Sequence, residues 1–114
     1  MLELNHKKLE VYKKSFELVK QIYKLTIDFP NSEIYGLTSQ IRRAAVSIIS
    51  NIAEGSSRKS SIERKRFYEI SRSSLVELDT QIDIAVALGY IKSDFNEIKQ
   101  LSNEVFAMLS SMLK

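Results

Sequence analysis

The sequence predicts an all-α protein, an antiparallel up-down-up-down four-helix bundle, and three observations carry that prediction. Apolar residues recur at spacings of three and four in four successive segments, only three Gly and one Pro interrupt 114 residues, and Leu, Ile, Lys, Glu and Ser dominate the rest. Such spacing places apolar side chains on one face of a helix. Four such helices joined by short loops bury their stripes as antiparallel neighbours. A single domain over residues 1–114 is long enough to form a core without metals or disulfides.

The expected helices cover residues of about 8–29, 38–54, 61–88 and 94–113. In the first, Leu9, Tyr12, Phe16, Val19 and Tyr23 form one stripe, with Leu18, Ile22, Leu25 and Phe29 beside it; Pro30 is its expected stop, since proline disfavours a helical residue before it. Thr38 or Ser39 is the expected cap of the second, Ile41, Ala45, Ile48 and Ile52 its core stripe, and Gly55 its left-handed close. Ser60, three residues before Glu63, has capping-box spacing and opens the third. Phe67, Ser71, Ser74, Leu78, Ile82 and Ala85 keep helical spacing there, and Gly89 ends it. Ser93 is the expected cap of the fourth, in which Ile98, Leu101, Val105, Met108 and Met112 face the core. Heptad-like spacing in helices one and four favours interaxial angles of about 20°.

Several chemistries lack their parts. With no cysteine and only His6, neither a thiolate site nor a histidine-rich metal site can form, and no serine has a histidine to activate it. Glu77, Asp79 and Asp83 cluster in the third helix, but Glu77 and Asp83 do not share a face and a Glu-x-x-His pair is absent. No metal, cofactor or catalytic activity is expected. No apolar run approaches the roughly 18 residues of a membrane span, and the N-terminus lacks a signal-peptide core, so a cytoplasmic protein is the expectation.

The net charge of +3 is unevenly spread. Residues 42–72 carry eight basic and three acidic groups, whereas residues 73–114 carry three basic and six acidic. This asymmetry suits an anionic partner or head-to-tail contact between copies. Arg58, Lys59, Arg64, Lys65, Arg66 and Arg72 surround the loop into the third helix and form the best candidate phosphate-binding patch, since clustered cations release counterions condensed on nucleic acid. Against that reading, Lys65, Glu69 and Arg72 stand at helical spacing and are able to neutralise one another. Arg43 falls on the second helix with Gln40, Ser47, Ser50, Asn51 and Glu54, opposite the core stripe, either as a nucleic-acid contact or in a polar network with Glu54. Arg42 falls elsewhere, beside Val46, Ile49 and Ala53, so the two arginines cannot serve the same contact, and a subunit interface is the expected place of one or the other, its stem covering apolar surface. Tyr12, Tyr23, Tyr35, Tyr68 and Tyr90 are able to stack on bases, but four of the five fall in or beside apolar stripes, where packing is the expected role.

Phe29-Pro30, the run from Tyr35 to Ala45 reading YGLTSQIRRAA, and Asn51-Ile52-Ala53-Glu54-Gly55 with Arg58 resemble the signature of a bacterial family. This is the four-helix-bundle family encoded by intervening sequences of 23S ribosomal RNA genes, whose members are often labelled ribosomal proteins. The accessory variability determinant of diversity-generating retroelements is similar to it. The likeness extends to the Leu9 to Tyr12 opening, the Arg72 to Leu78 run and the Leu88-Gly89-Tyr90-Ile91 junction; Ser73 departs from the usual Arg-Gly pair.

The resemblance implies a ring-like homopentamer with a basic surface and a nucleic-acid partner, RNA more than DNA. The leading expectation is therefore a non-enzymatic oligomer that binds phosphate without reading sequence, through Arg42, Arg43, Arg58, Lys59, Arg64, Lys65, Arg66 and Arg72. The alternative is an interaction module docking a partner protein such as a polymerase. The N-terminal helix, or the face bearing Ala44 and Ser47, is the expected oligomer contact.

Overall fold

The computed structural model describes residues 1–114 as four α-helices: α1 (Glu10–Thr26), α2 (Leu37–Ser56), α3 (Ser61–Ala87) and α4 (Asn96–Met112). Short 3-10 turns at Asn5–Lys8 and Asn31–Glu33 precede the first two. Each helix packs on two others, α1 on α2 and α4, α3 on α2 and α4, and the backbones of the diagonal pairs stay apart. Cross-helix bonds give the direction. Ser47 Oγ meets Ser74 Oγ at 2.8 Å and Ser71 Oγ donates to the Ile48 carbonyl at 2.7 Å, so residue numbers rise on α2 as they fall on α3. The same relation holds between α1 and α4, where Val11 lies by Met108 and Met112, Lys14 pairs with Glu104, and Gln21 and Lys24 lie by Asn96, Glu97 and Ile98; the bundle is up-down-up-down, 43 × 30 × 22 Å.

The stripes of α2, α3 and α4 are placed largely as their spacing predicts, except that Phe67 is half-buried and Leu109 is buried in place of Met108 and Met112. Ile41, Ala45, Ile48 and Ile52 are buried, as are Ser71, Ser74, Leu78, Ile82 and Ala85, with Ile98, Leu101, Val105 and Leu109 closing the core. Met108 and Met112 pack half-buried against it. In α1 the two adjoining stripes are covered unequally, with Tyr12 and Val19 of the first packed half-buried against the core. Val11, Ser15, Leu18, Ile22 and Thr26 face the core, whereas Leu9, Phe16 and Tyr23 are exposed. Both stripes have helical spacing, and the neighbouring helices decide which of them is covered.

The ends of the helices correct four expectations. The first helix stops at Thr26, three residues before Phe29, and the Thr26 hydroxyl donates back to the Ile22 carbonyl at 2.9 Å. The second begins one residue before Thr38, with Gly36 at the cap position. Thr38 is buried in the first turn with no partner for its hydroxyl, and the Leu37 amide is instead capped by Glu33 Oε1 at 3.2 Å. Gly55 does not close the second helix. It lies inside it with ordinary helical geometry, because α3 crosses there too closely for a side chain. The fourth starts at Asn96 rather than after Ser93, and the Asp94 carboxylate accepts the Asn96 amide at 2.7 Å, a stronger charged acceptor one residue along.

Two terminal signals stand as written in the sequence. Ser60 Oγ accepts the Glu63 amide at 3.1 Å and opens α3. Gly89, at φ 78°, closes α3: the Tyr90 amide bonds to the Ala85 carbonyl and the Gly89 amide to that of Val86, the paired bonds of a Schellman turn. Tyr90 then packs on Phe29, ring centres 5.6 Å apart, and donates to Glu33 Oε2 at 2.8 Å. That bond, with burial, holds the Tyr90 hydroxyl above the usual tyrosine pKa. Its stabilisation is complete below the unfolded value near 10 and is lost as the pH rises through the raised folded value. Chemical denaturation across pH 8–11 is expected to show a steeper alkaline loss for the wild type than for Tyr90→Phe.

Candidate nucleic-acid interface

The α2–α3 turn gathers its cations because a short loop reverses the chain beside the first turn of α3. Arg58 and Lys59 occupy the loop, and Lys65 and Arg66 lie one turn into α3, pointing about 100° apart so that the charge wraps the tip. The Arg58 guanidinium lies over the Phe67 ring, 4.8 Å from its centre, which fixes its stem and leaves its N–H groups toward solvent. Lys59 and Arg66 are exposed and Lys65 is half-buried. None of the four has a carboxylate within 4.0 Å, since the ion pairs are Lys13–Glu10, Lys14–Glu104 and Lys20–Glu17. The Lys65–Glu69–Arg72 neutralisation allowed by spacing is not made.

The other four predicted cations are separate. Arg64 Nη1 donates to the carbonyls of Arg58 (3.0 Å) and Lys59 (2.7 Å), so it shapes the turn. Arg72 reaches α4, where Nη1 donates to Ser110 Oγ at 3.2 Å and the guanidinium sits 5.9 Å from the Phe106 ring centre. Arg72→Ala is expected to loosen α4 by about 1 kcal/mol, read as faster amide exchange in residues 96–112 with RNA binding unchanged. Arg42 is held by its own chain, its Nε 2.9 Å from Thr26 Oγ1 and its guanidinium 4.7 Å from the Tyr23 ring centre. Arg43 is exposed and unpaired, with no ion pair to Glu54, and lies about 20 Å along α2 from the turn.

Part of the predicted polar face of α2 is therefore internal. Ser47 bonds to Ser74, Asn51 Nδ2 donates to the Ser47 carbonyl at 2.8 Å, and Ala44 is buried. The small residues bring α2 and α3 together within the chain. What the sequence does not reveal is that Tyr35 stands wholly exposed beside Arg43 on an open groove; the other tyrosines are packed or partly covered. No group of three His, Asp or Glu side chains is placed to hold a metal, and no helix is long and apolar enough to cross a membrane.

The fold and the cationic turn define a basic four-helix-bundle protein. The family described as 23S rRNA-intervening sequence protein matches residues 7–111, and the chain belongs to that family. It is similar in structure to a protein of unknown function from the S23 ribosomal protein family of Bacteroides thetaiotaomicron. The TM-score is 0.76 at 23% identity, over 91% of this chain and 98% of that one, a likeness of fold. No curated protein matches the sequence.

Proposed function

We propose that this protein is a non-enzymatic, self-associating bundle that binds nucleic acid, RNA in preference to DNA, through phosphate contacts at the α2–α3 turn. The observation that carries the reading is the set Arg58, Lys59, Lys65 and Arg66 at one end of the molecule, none of them paired with a carboxylate. Unpaired cations gathered at a tip have little value for folding and suit a polyanion. The preference for RNA rests on the family's association with 23S ribosomal RNA intervening sequences. Fluorescence anisotropy with a folded RNA at 50 mM salt tests the reading: saturable binding is expected, and its absence contradicts it.

The outer stripe of α1 supports the self-association proposed here. Leu9 at the cap of α1, Phe16 and Tyr23 repeat every seven residues over about 21 Å and remain 41%, 53% and 42% exposed, although Arg42 of α2 covers one face of Tyr23, and Val46 on α2 adds to the exposed apolar surface. The family resemblance implies five copies. Light scattering on eluting protein is expected to give the mass of five chains, and Phe16→Glu that of one; a wild type eluting as a monomer contradicts the assembly.

A further inference from the structure

Tyr35 has no folding role that accounts for its position. Its side chain is 96% exposed, although the backbone that carries it is tightly held. Glu33 fixes that backbone from two sides, accepting the Leu37 amide on Oε1 and the Tyr90 hydroxyl on Oε2. Tyr35 thus stands as a free ring on a rigid base, at the rim of an open groove of about 460 Å³ between α2 and α3, within the size range of small-ligand sites. Gln40, Arg43, Ser47, Ser74 and Glu77 line the same groove. Arg43 is unpaired there. Glu77 stands level with it across the groove, about one turn from the Ser47–Ser74 bond on each helix, with one oxygen accepting from Gln81 Nε2.

The geometry points to a subsite for one unstacked nucleotide, remote from the turn: its base stacks on Tyr35 and its phosphate meets Arg43. Glu77 orients the occupant, since its carboxylate repels a second phosphate and accepts from the hydroxyls of a ribose or the amino group of a base. Duplex nucleic acid presents its bases stacked and paired, so the ligand is a single-stranded or looped segment. The inference rests on the nucleic-acid reading above and narrows it to a class of RNA.

The test compares a labelled oligouridylate 12-mer with an RNA duplex of equal length, by anisotropy at one salt concentration. The proteins are the wild type, Tyr35→Ala and Tyr35→Phe, with circular dichroism confirming the fold of each. Tyr35→Ala is expected to bind the single strand about fivefold to a hundredfold more weakly and the duplex unchanged, while Tyr35→Phe keeps wild-type affinity for both. Equal single-strand affinity in wild type and Tyr35→Ala overturns the subsite, as does an equal loss on the duplex. If Tyr35→Ala is silent while the wild type still binds RNA, the subsite alone falls; if the wild type binds neither RNA, the broader reading falls with it.

Discussion

Gly55→Ala is expected to lower the melting temperature by about 4–8 °C, although alanine is the better helix former. A methyl group on Gly55 would stand 2.8 Å from Tyr68 Cε1 and 2.9 Å from Phe67 Cβ. The Phe67 atom is fixed to the α3 backbone. The Tyr68 ring is buried and bonded through its hydroxyl to Ser56 Oγ at 3.0 Å. Neither is able to step aside without shifting α3 from α2. Alanine in a helix interior gains about 1 kcal/mol over glycine, and overpacking of a core costs about 1–3 kcal/mol. The second term wins here because the obstacle is backbone-anchored, leaving a net loss of about 1 kcal/mol. Gly89→Ala is the contrast. Nothing lies within 4 Å of its added methyl, so any loss there comes from φ of 78° alone. A Gly55→Ala protein as stable as the wild type would show that the two helices have room to spare.

The largest effect on binding is expected from replacing Arg58, Lys59, Lys65 and Arg66 together by Ala. Each phosphate contact contributes about 0.7–0.9 to the logarithmic salt slope, so four lost contacts weaken binding by roughly a thousandfold near 0.1 M salt. Arg64 stays in this variant because its bonds to the Arg58 and Lys59 carbonyls build the turn, and its loss would confuse misfolding with lost charge. Three of the four side chains are exposed, and unchanged thermal unfolding is the control.

The bundle was legible because α2, α3 and α4 each carry a core stripe that keeps helical spacing along most of the helix, even though further apolar residues such as Val46 on α2 and Ile70 and Val76 on α3 lie outside it. The Ser60 cap and the Gly89 stop were legible for a similar reason: each is set by bonds within one short segment. Where a signal depends on a neighbour, the sequence was ambiguous. Periodicity in α1 offers two adjoining stripes, and only the positions of α2 and α4 select Leu18 and Ile22 over Phe16 and Tyr23. A glycine near a helix end reads as a left-handed close, yet Gly55 is required by the approach of α3, which no local pattern records. Ser93 and Asp94 are both capable caps, and one residue separates the prediction from the bond observed.

The same distinction divides the candidate site. That residues 42–72 form a basic stretch is visible in composition, but which cations are free is decided by partners far along the chain. Thr26 and Tyr23 hold Arg42, Ser110 and Phe106 hold Arg72, and the turn's own carbonyls hold Arg64. Apolar stripes account for four of the five tyrosines and leave Tyr35 without one. Its singularity lies in the absence of a neighbour, which only the coordinates disclose.

The proposal that an unpaired cationic tip meets a phosphate backbone is tested most directly by the slope of log affinity against log salt, for the wild type and the four-alanine variant on one folded RNA. The slope is expected to become shallower by about 3 in the variant. Parallel lines for the two proteins would contradict the proposal and place the RNA contact elsewhere on the molecule.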